Sequence, residues 1–146
     1  MSKLLSVVAV LCVASAAQAQ PKPTPEFLQI NPQVAAPFSS AVRLGNMIYL
    51  AGQIGTKDGK LVPGGIGPET RQTLLNISEV LEKAGSDMQH VVKCTVFLAD
   101  MKEWPAMNDV YRTMFLAGKY PARSAFGATG LALDARTEIE CIAVVK

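Results

Sequence analysis

The sequence predicts an α+β domain: one sheet with two helices laid on a single face, in the order β-β-α-β-α-β-β. Three observations carry this. The segments "AVRLGNMIYLAGQI", "HVVKCTVFLAD" and "RTEIECIAVV" alternate in polarity or run β-branched, as strands do. Between and beside them, "PETRQTLLNISEVLEKAG" and "EWPAMNDVYRTMFLAG" place apolar residues at helical spacing and end in glycine. No internal repeat or heptad competes with that reading.

The first segment precedes the domain. Lys3 gives a short positive start and Leu4 to Ala14 is almost wholly apolar, too short a run to anchor in a bilayer. Ala17-Gln18-Ala19 has the small-x-small form of a signal-peptidase site, so residues 1–19 read as an export signal and the mature chain is expected to begin at Gln20, in the periplasm or outside the cell. Its removal leaves 127 residues, enough for one core and too few for two. Pro21, Pro23 and Pro25 make residues 20–28 an extended, poorly ordered tether, with the domain running over 29–146.

Within the domain, Gly45-Asn46 between two apolar segments predicts a hairpin with a two-residue turn. Pro68 suits a first helical turn, Leu74, Ile77, Leu81 and Ala84 form one stripe, and Gly85 marks the stop. The second helix is expected to run through Met107, Val110, Tyr111 and Met114 towards Gly118. Two closing strands follow.

Composition excludes some functions. Without Lys3 the chain carries 13 basic and 12 acidic residues, scattered along its length, which supports neither nucleic-acid nor membrane binding after signal removal. Cys94 and Cys141, both in strand-like runs, are expected to be small buried hydrophobes, with one bridge between neighbouring strands as the alternative. His90 and Cys94 share strand parity but lack further ligands, so no metal is expected. Asn76-Ile77-Ser78 is a sequon by letters only, being mid-helix.

One strand raises a question of chemistry. Period-two alternation puts Arg136, Glu138, Glu140, Ile142 and Val144 on one side of the last strand and Thr137, Ile139, Cys141, Ala143 and Val145 on the other. The second set should pack under the helices. The charged set then lies on the uncovered face, against water or another subunit. Pro121 stiffens the approach to a strand on which Arg123, Ala125 and Gly127 share a side, so a guanidinium is expected near those carboxylates.

Taken together, "GQI", "VVK-C-TVFLADM", "N-x-x-Y", "PARS" and "EIE-x-IA", in this order and spacing, resemble the RidA (YjgF-type) family of reactive-intermediate deaminases over about Ile30 to Val145. The resemblance implies a chorismate-mutase-like fold, a homotrimer whose helix-free sheet faces meet, and three clefts between subunits. It implies that Arg123 binds a substrate carboxylate, that Glu138 orients water and moves protons, and that Glu140 is structural. Asn108 matches a cleft asparagine, while Gly52 and Ala125 match positions that meet substrate through the backbone. The family's tyrosine, serine and cysteine appear here as Phe38, Ala51 and Ala125, which makes the pocket more apolar. The implied reaction is cofactor-free hydrolysis of a 2-imino or 2-enamino acid to a 2-keto acid and ammonia. A carboxylate binder without turnover is the alternative. A ribonuclease or translation-inhibitor role, described for some relatives, is disfavoured by export.

Overall fold

The structure, a computed structural model, describes residues 22–30 and 36–146; the segment expected to be an export signal and Gln20 lie outside the described residues. Among the described residues, nine strands and two α-helices follow in chain order: β1 Glu26–Leu28, β2 Ala41–Leu44, β3 Met47–Leu50, β4 Gln53–Ile54, β5 Thr56–Lys57, β6 Lys60–Leu61, α1 Ile66–Lys83, β7 Val91–Leu98, α2 Trp104–Tyr111, β8 Ala122–Gly127 and β9 Thr137–Val144. The main sheet has the order β1-β2-β3-β9-β7-β8, with β4 also paired to β9. Its pairings are antiparallel except β7 with β8, which are parallel because α2 crosses between them. The small β5-β6 hairpin stands apart.

Both helices cover one face, as the alternation predicts. Ile48, Val96, Leu98, Ile139 and Ala143 from the sheet meet Leu74, Ile77 and Leu81 of α1 and Met107 of α2, all fully buried. Burying each of the large side chains contributes roughly 1.5–3 kcal/mol against an exposed one. α1 starts where the sequence says it should: Gly64 and Gly65 take φ of 107° and 84°, and Pro68 falls in the first turn, where a missing N–H costs nothing. It stops at Gly85, φ 84°, where the Ser86 amide donates to the Leu81 carbonyl at 2.8 Å. Asn76 is engaged in packing: its amide nitrogen donates to the carbonyls of Ile54 and Thr56 at 3.0 and 2.9 Å, tying α1 to β4 and β5.

Four details differ from expectation. Glu26–Leu28, read as the end of the tether, pair with β2 as an edge strand, because Leu28 reaches the core beside Ala41. α2 ends at Tyr111 and gives way to a 3₁₀ turn over Arg112–Met114, after which Phe115 turns extended and packs its ring on Tyr111 at 4.9 Å. Cys94 and Cys141 form a disulfide and are not two separate thiols; they face each other in register on β7 and β9 with Cα atoms 4.1 Å apart. Arg136 does not project from the open face with Glu138: it precedes β9, its guanidinium pairs with Glu103 at 3.0 Å, and its amide donates to the buried Glu69 carboxylate at 2.8 Å.

The open face of the sheet is mixed. Phe27, Val42, Tyr49, Ile142, Phe97 and Phe126 give it an apolar surface; Phe27, Tyr49 and Phe126 are exposed, and the Phe97 and Phe126 rings lie 6.3 Å apart. Glu138, Glu140 and Lys93 stand among them, and Lys93 donates to the Ser124 hydroxyl at 2.9 Å.

Candidate active site

The residues singled out by sequence fall into two groups. The first surrounds Arg123. Strand β8 is an edge strand whose register against β7 aligns Arg123 with Cys94 and Ala125 with Val96, two core residues. Paired residues of neighbouring strands share a face, so Arg123 and Ala125 lie on the helix side of the sheet. There the guanidinium opens onto a cleft of about 350 Å³ lined by Asn108, Tyr111, Arg112, Tyr120 and Pro121. Asn108 and Tyr111 are three apart on α2 and therefore share its inward side. Arg123 Cζ lies over the Tyr111 ring, 4.6 Å from its centroid. Burial pushes the Tyr111 phenol up to about 12, a rise that the positive Arg123 opposes.

The second group surrounds Glu138. This residue pairs with Phe97 and Ile54 and projects, half-buried, from the open face. The strand that sequence reads as continuous from Met47 to Ile54 is broken at Ala51-Gly52. That break has a purpose in packing: a Cβ on Gly52 would run into the Glu138 carboxylate, so the missing side chain is what gives the carboxylate its seat. The Ala51 amide donates to Ser40 at 3.0 Å, which holds this break beside the segment carrying Phe38. Phe38 itself is exposed.

The expected neighbourhood of Arg123 and Glu138 is therefore corrected. In one protomer they lie on opposite faces of the sheet, with β7 between their strands. Asn108 lines the Arg123 cleft and Ala125 shares Arg123's side of β8; Gly52 seats Glu138, and Phe38 lies exposed on the segment that the Ser40–Ala51 bond ties to the strand break. Sequence reasoning missed Tyr111 and Tyr120 as cleft residues, taking the first as core alone. Its position in "N-x-x-Y", one turn after Asn108, was the available signal.

The fold and this arrangement define a two-layer α+β domain with an arginine-lined cleft on its helix side and a carboxylate on its open face. The chain belongs to the family described as Endoribonuclease L-PSP, the YjgF/Rid family, whose model matches residues 29–145. It is 44% identical over 115 residues to the 2-iminobutanoate/2-iminopropanoate deaminase of Mus musculus, covering 77% of this chain and 84% of that one. The crystal structure of YyfA, of the Rid protein family from Yersinia pestis, superposes with a TM-score of 0.78 at 33% identity, covering 84% of this chain and 100% of that one. That of E. coli TdcF with bound serine superposes with a TM-score of 0.71 at 29% identity, covering 77% and 91%.

Proposed function

We propose that this protein hydrolyses small 2-imino and 2-enamino acids to 2-keto acids and ammonia. The observation that carries the reading is Arg123, half-buried in a cleft with Asn108 and Tyr111 and, among the described residues, in no ion pair. A guanidinium left open in this way offers a planar fork that grips a carboxylate through two parallel bonds and cannot lose its proton. The name of the mouse relative and the amino acid bound to the E. coli relative support the same chemistry.

In this mechanism Arg123 fixes the carboxylate and Asn108 borders the same cleft, while Ala125 follows on the same side of β8. Glu138, brought by a neighbouring copy together with Gly52 and Phe38, holds a water against C2. Water adds to the C=N carbon as Glu138 takes its proton, the nitrogen of the resulting carbinolamine is protonated, and the C–N bond breaks to release ammonia and leave the keto group. Orientation and proton transfer supply the acceleration, and no redox or group-carrying cofactor is required.

The same geometry supports a shared assembly, since two half-sites on opposite faces need a second copy to meet. A homotrimer that packs the open faces together would cover Tyr49, Phe97 and Phe126 and carry three sites. Light scattering should report a trimer at micromolar concentration; a monomer would reject the shared site. Export is the reading of the leader, and the Cys94–Cys141 bridge supports an oxidising compartment. Mass analysis of secreted protein should find Gln20 first, and retention of Met1 would refute it.

The direct assay measures keto-acid release from imines made in place by an amino-acid oxidase. Acceleration over spontaneous hydrolysis supports the enzyme; 2-keto-acid binding without acceleration would support a carboxylate binder.

Gly52→Ala separates the carboxylate's position from the fold. The atom that a new Cβ would meet is the far end of Glu138, which can swing away, so stability should hardly change. Turnover should fall on the order of 10–10²-fold, the effect of a displacement of about 1 Å in a catalytic group. A fully active variant would show that Glu138 does not work from its seat on Gly52.

A further inference from the structure

Building on the carboxylate-clamp role of Arg123, we propose that Tyr111 is a positioning residue whose ring, backed by Phe115, holds the guanidinium in the plane needed to grip the substrate. Three side chains adjoin in a column, the Phe115 ring tilted against Tyr111 and Arg123 lying over the Tyr111 ring. The Phe115 and Tyr111 ring centroids are 4.9 Å apart and tilted by 42°, and Arg123 Cζ lies 4.6 Å from the Tyr111 centroid. Phe115 and Tyr111 are buried, so the column has a fixed base and a cleft-facing tip.

The geometry suits this task because stacking and hydrogen bonding use different directions of the guanidinium. The ring attracts the flat face of the cation, while the N–H donors radiate in the plane and stay free for a carboxylate. A salt bridge would hold Arg123 as firmly but would occupy the fork. The Tyr111 hydroxyl takes no part: it is buried and, among the described residues, has no hydrogen-bond partner. The ring is therefore the working element, and the sequence signal for it is only that Tyr111 follows Asn108 by one turn.

The test compares Tyr111→Phe, Tyr111→Leu and a variant with 3,4,5-trifluorophenylalanine at 111, which keeps a ring of similar size but depletes its negative face. Two readouts are taken on full-length mature protein checked for folding by circular dichroism. The first uses no substrate: NMR relaxation and chemical shift of the Arg123 Nε–H, assigned by its loss in Arg123→Lys. Wild type and Tyr111→Phe should show a rigid, ring-shifted resonance, and Tyr111→Leu a mobile, unshifted one. The second is the affinity for pyruvate as a 2-keto-acid probe, with KM and kcat for the imine. Tyr111→Leu and the fluorinated variant should raise Kd and KM about three- to thirtyfold, the span of cation–π contacts, with kcat within a few-fold of wild type.

An Arg123 resonance equally rigid in Tyr111→Leu would overturn the proposal, as would loss of rigidity in Tyr111→Phe, which would put the hydroxyl in charge. If Tyr111→Leu fails to fold, the fluorinated variant decides through KM and Kd. Loss of pyruvate binding and turnover in wild type itself, with the NMR pattern intact, would instead sink the substrate assignment and leave the positioning column standing.

Discussion

Glu138→Gln should lower kcat by roughly 10²–10⁴, the range for a lost general acid or base, while the affinity for a 2-keto acid stays close to that of wild type. The amide keeps the shape of the side chain and its seat above Gly52, so water can still be placed near C2. What it cannot do is take the proton from that water or return one to the leaving nitrogen. Equal losses in kcat and in keto-acid affinity would mean that Glu138 binds substrate and does not move protons. Glu140→Gln, two residues along β9 on the same face, is the internal control, read on protein shown by light scattering to assemble as wild type does. It should remain near wild-type activity.

Arg123→Lys should fail nearly as badly as Arg123→Ala, although lysine keeps the charge. A point charge attracts the carboxylate without holding its plane, and an ammonium does not lie flat on Tyr111 as a guanidinium does. If the fork contributes about 1.5–3 kcal/mol through charge-assisted bonds, kcat/KM should fall on the order of ten- to a hundredfold, with further loss from misplacement of the imine carbon. KM and the Kd for pyruvate should rise together. Steady-state kinetics on folded, correctly assembled protein decides the matter; full activity in Arg123→Lys would remove the clamp from the mechanism.

The parts of this molecule set by short-range pattern were legible in its sequence. The Gly45-Asn46 hairpin, the span of α1 and the burial of Ile139, Cys141 and Ala143 on β9 all follow from periodicity and turn residues within a few positions of one another. What depended on distant partners was not. Alternation along β8 groups Arg123 with Ala125 and Gly127, but only the register of β8 on β7, which sets Arg123 beside buried Cys94, decides that this set faces the helices. The disulfide depends on the pairing of β7 with β9 in the same way: Cys94 and Cys141 are 47 residues apart and meet only because the strands align. Edge strand β1 escaped because its prolines dominate the local signal, while Leu28 joins the sheet through a partner thirteen residues on. α2 stops short although its apolar spacing runs on to Met114: the chain tightens into a 3₁₀ turn over Arg112–Met114, and Phe115 turns extended with its ring against Tyr111, a local break that periodicity does not register.

The candidate site shows the same division. Strand alternation and Pro121 drew attention to Arg123 and Glu138, whose clamp and proton-carrier roles, like the choice of Asn108 and Gly52, came only through the resemblance to the RidA family, and Gly52 as the seat of a carboxylate was not foreseen. Their distribution over two half-sites was not legible, since it belongs to the sheet as a whole. Of the family positions that differ here, Ala51 adjoins Gly52 and Phe38 lies two residues before Ser40, whose carbonyl takes the Ala51 amide, so any change in substrate preference they cause should appear around the reacting carbon and side chain of the substrate and not at its carboxylate.

If one active site is completed by two copies of the chain, subunit complementation will reveal it. Arg123→Ala and Glu138→Gln, each nearly inactive alone, are unfolded together in equal amounts, refolded and assayed for keto-acid release. If Arg123 from one copy meets Glu138 from the next, random assembly leaves one site in four with both native groups, and about a quarter of wild-type activity should return. If each copy builds its site alone, every site in the mixture carries one defect, and activity that stays at the level of the separate variants would contradict the account.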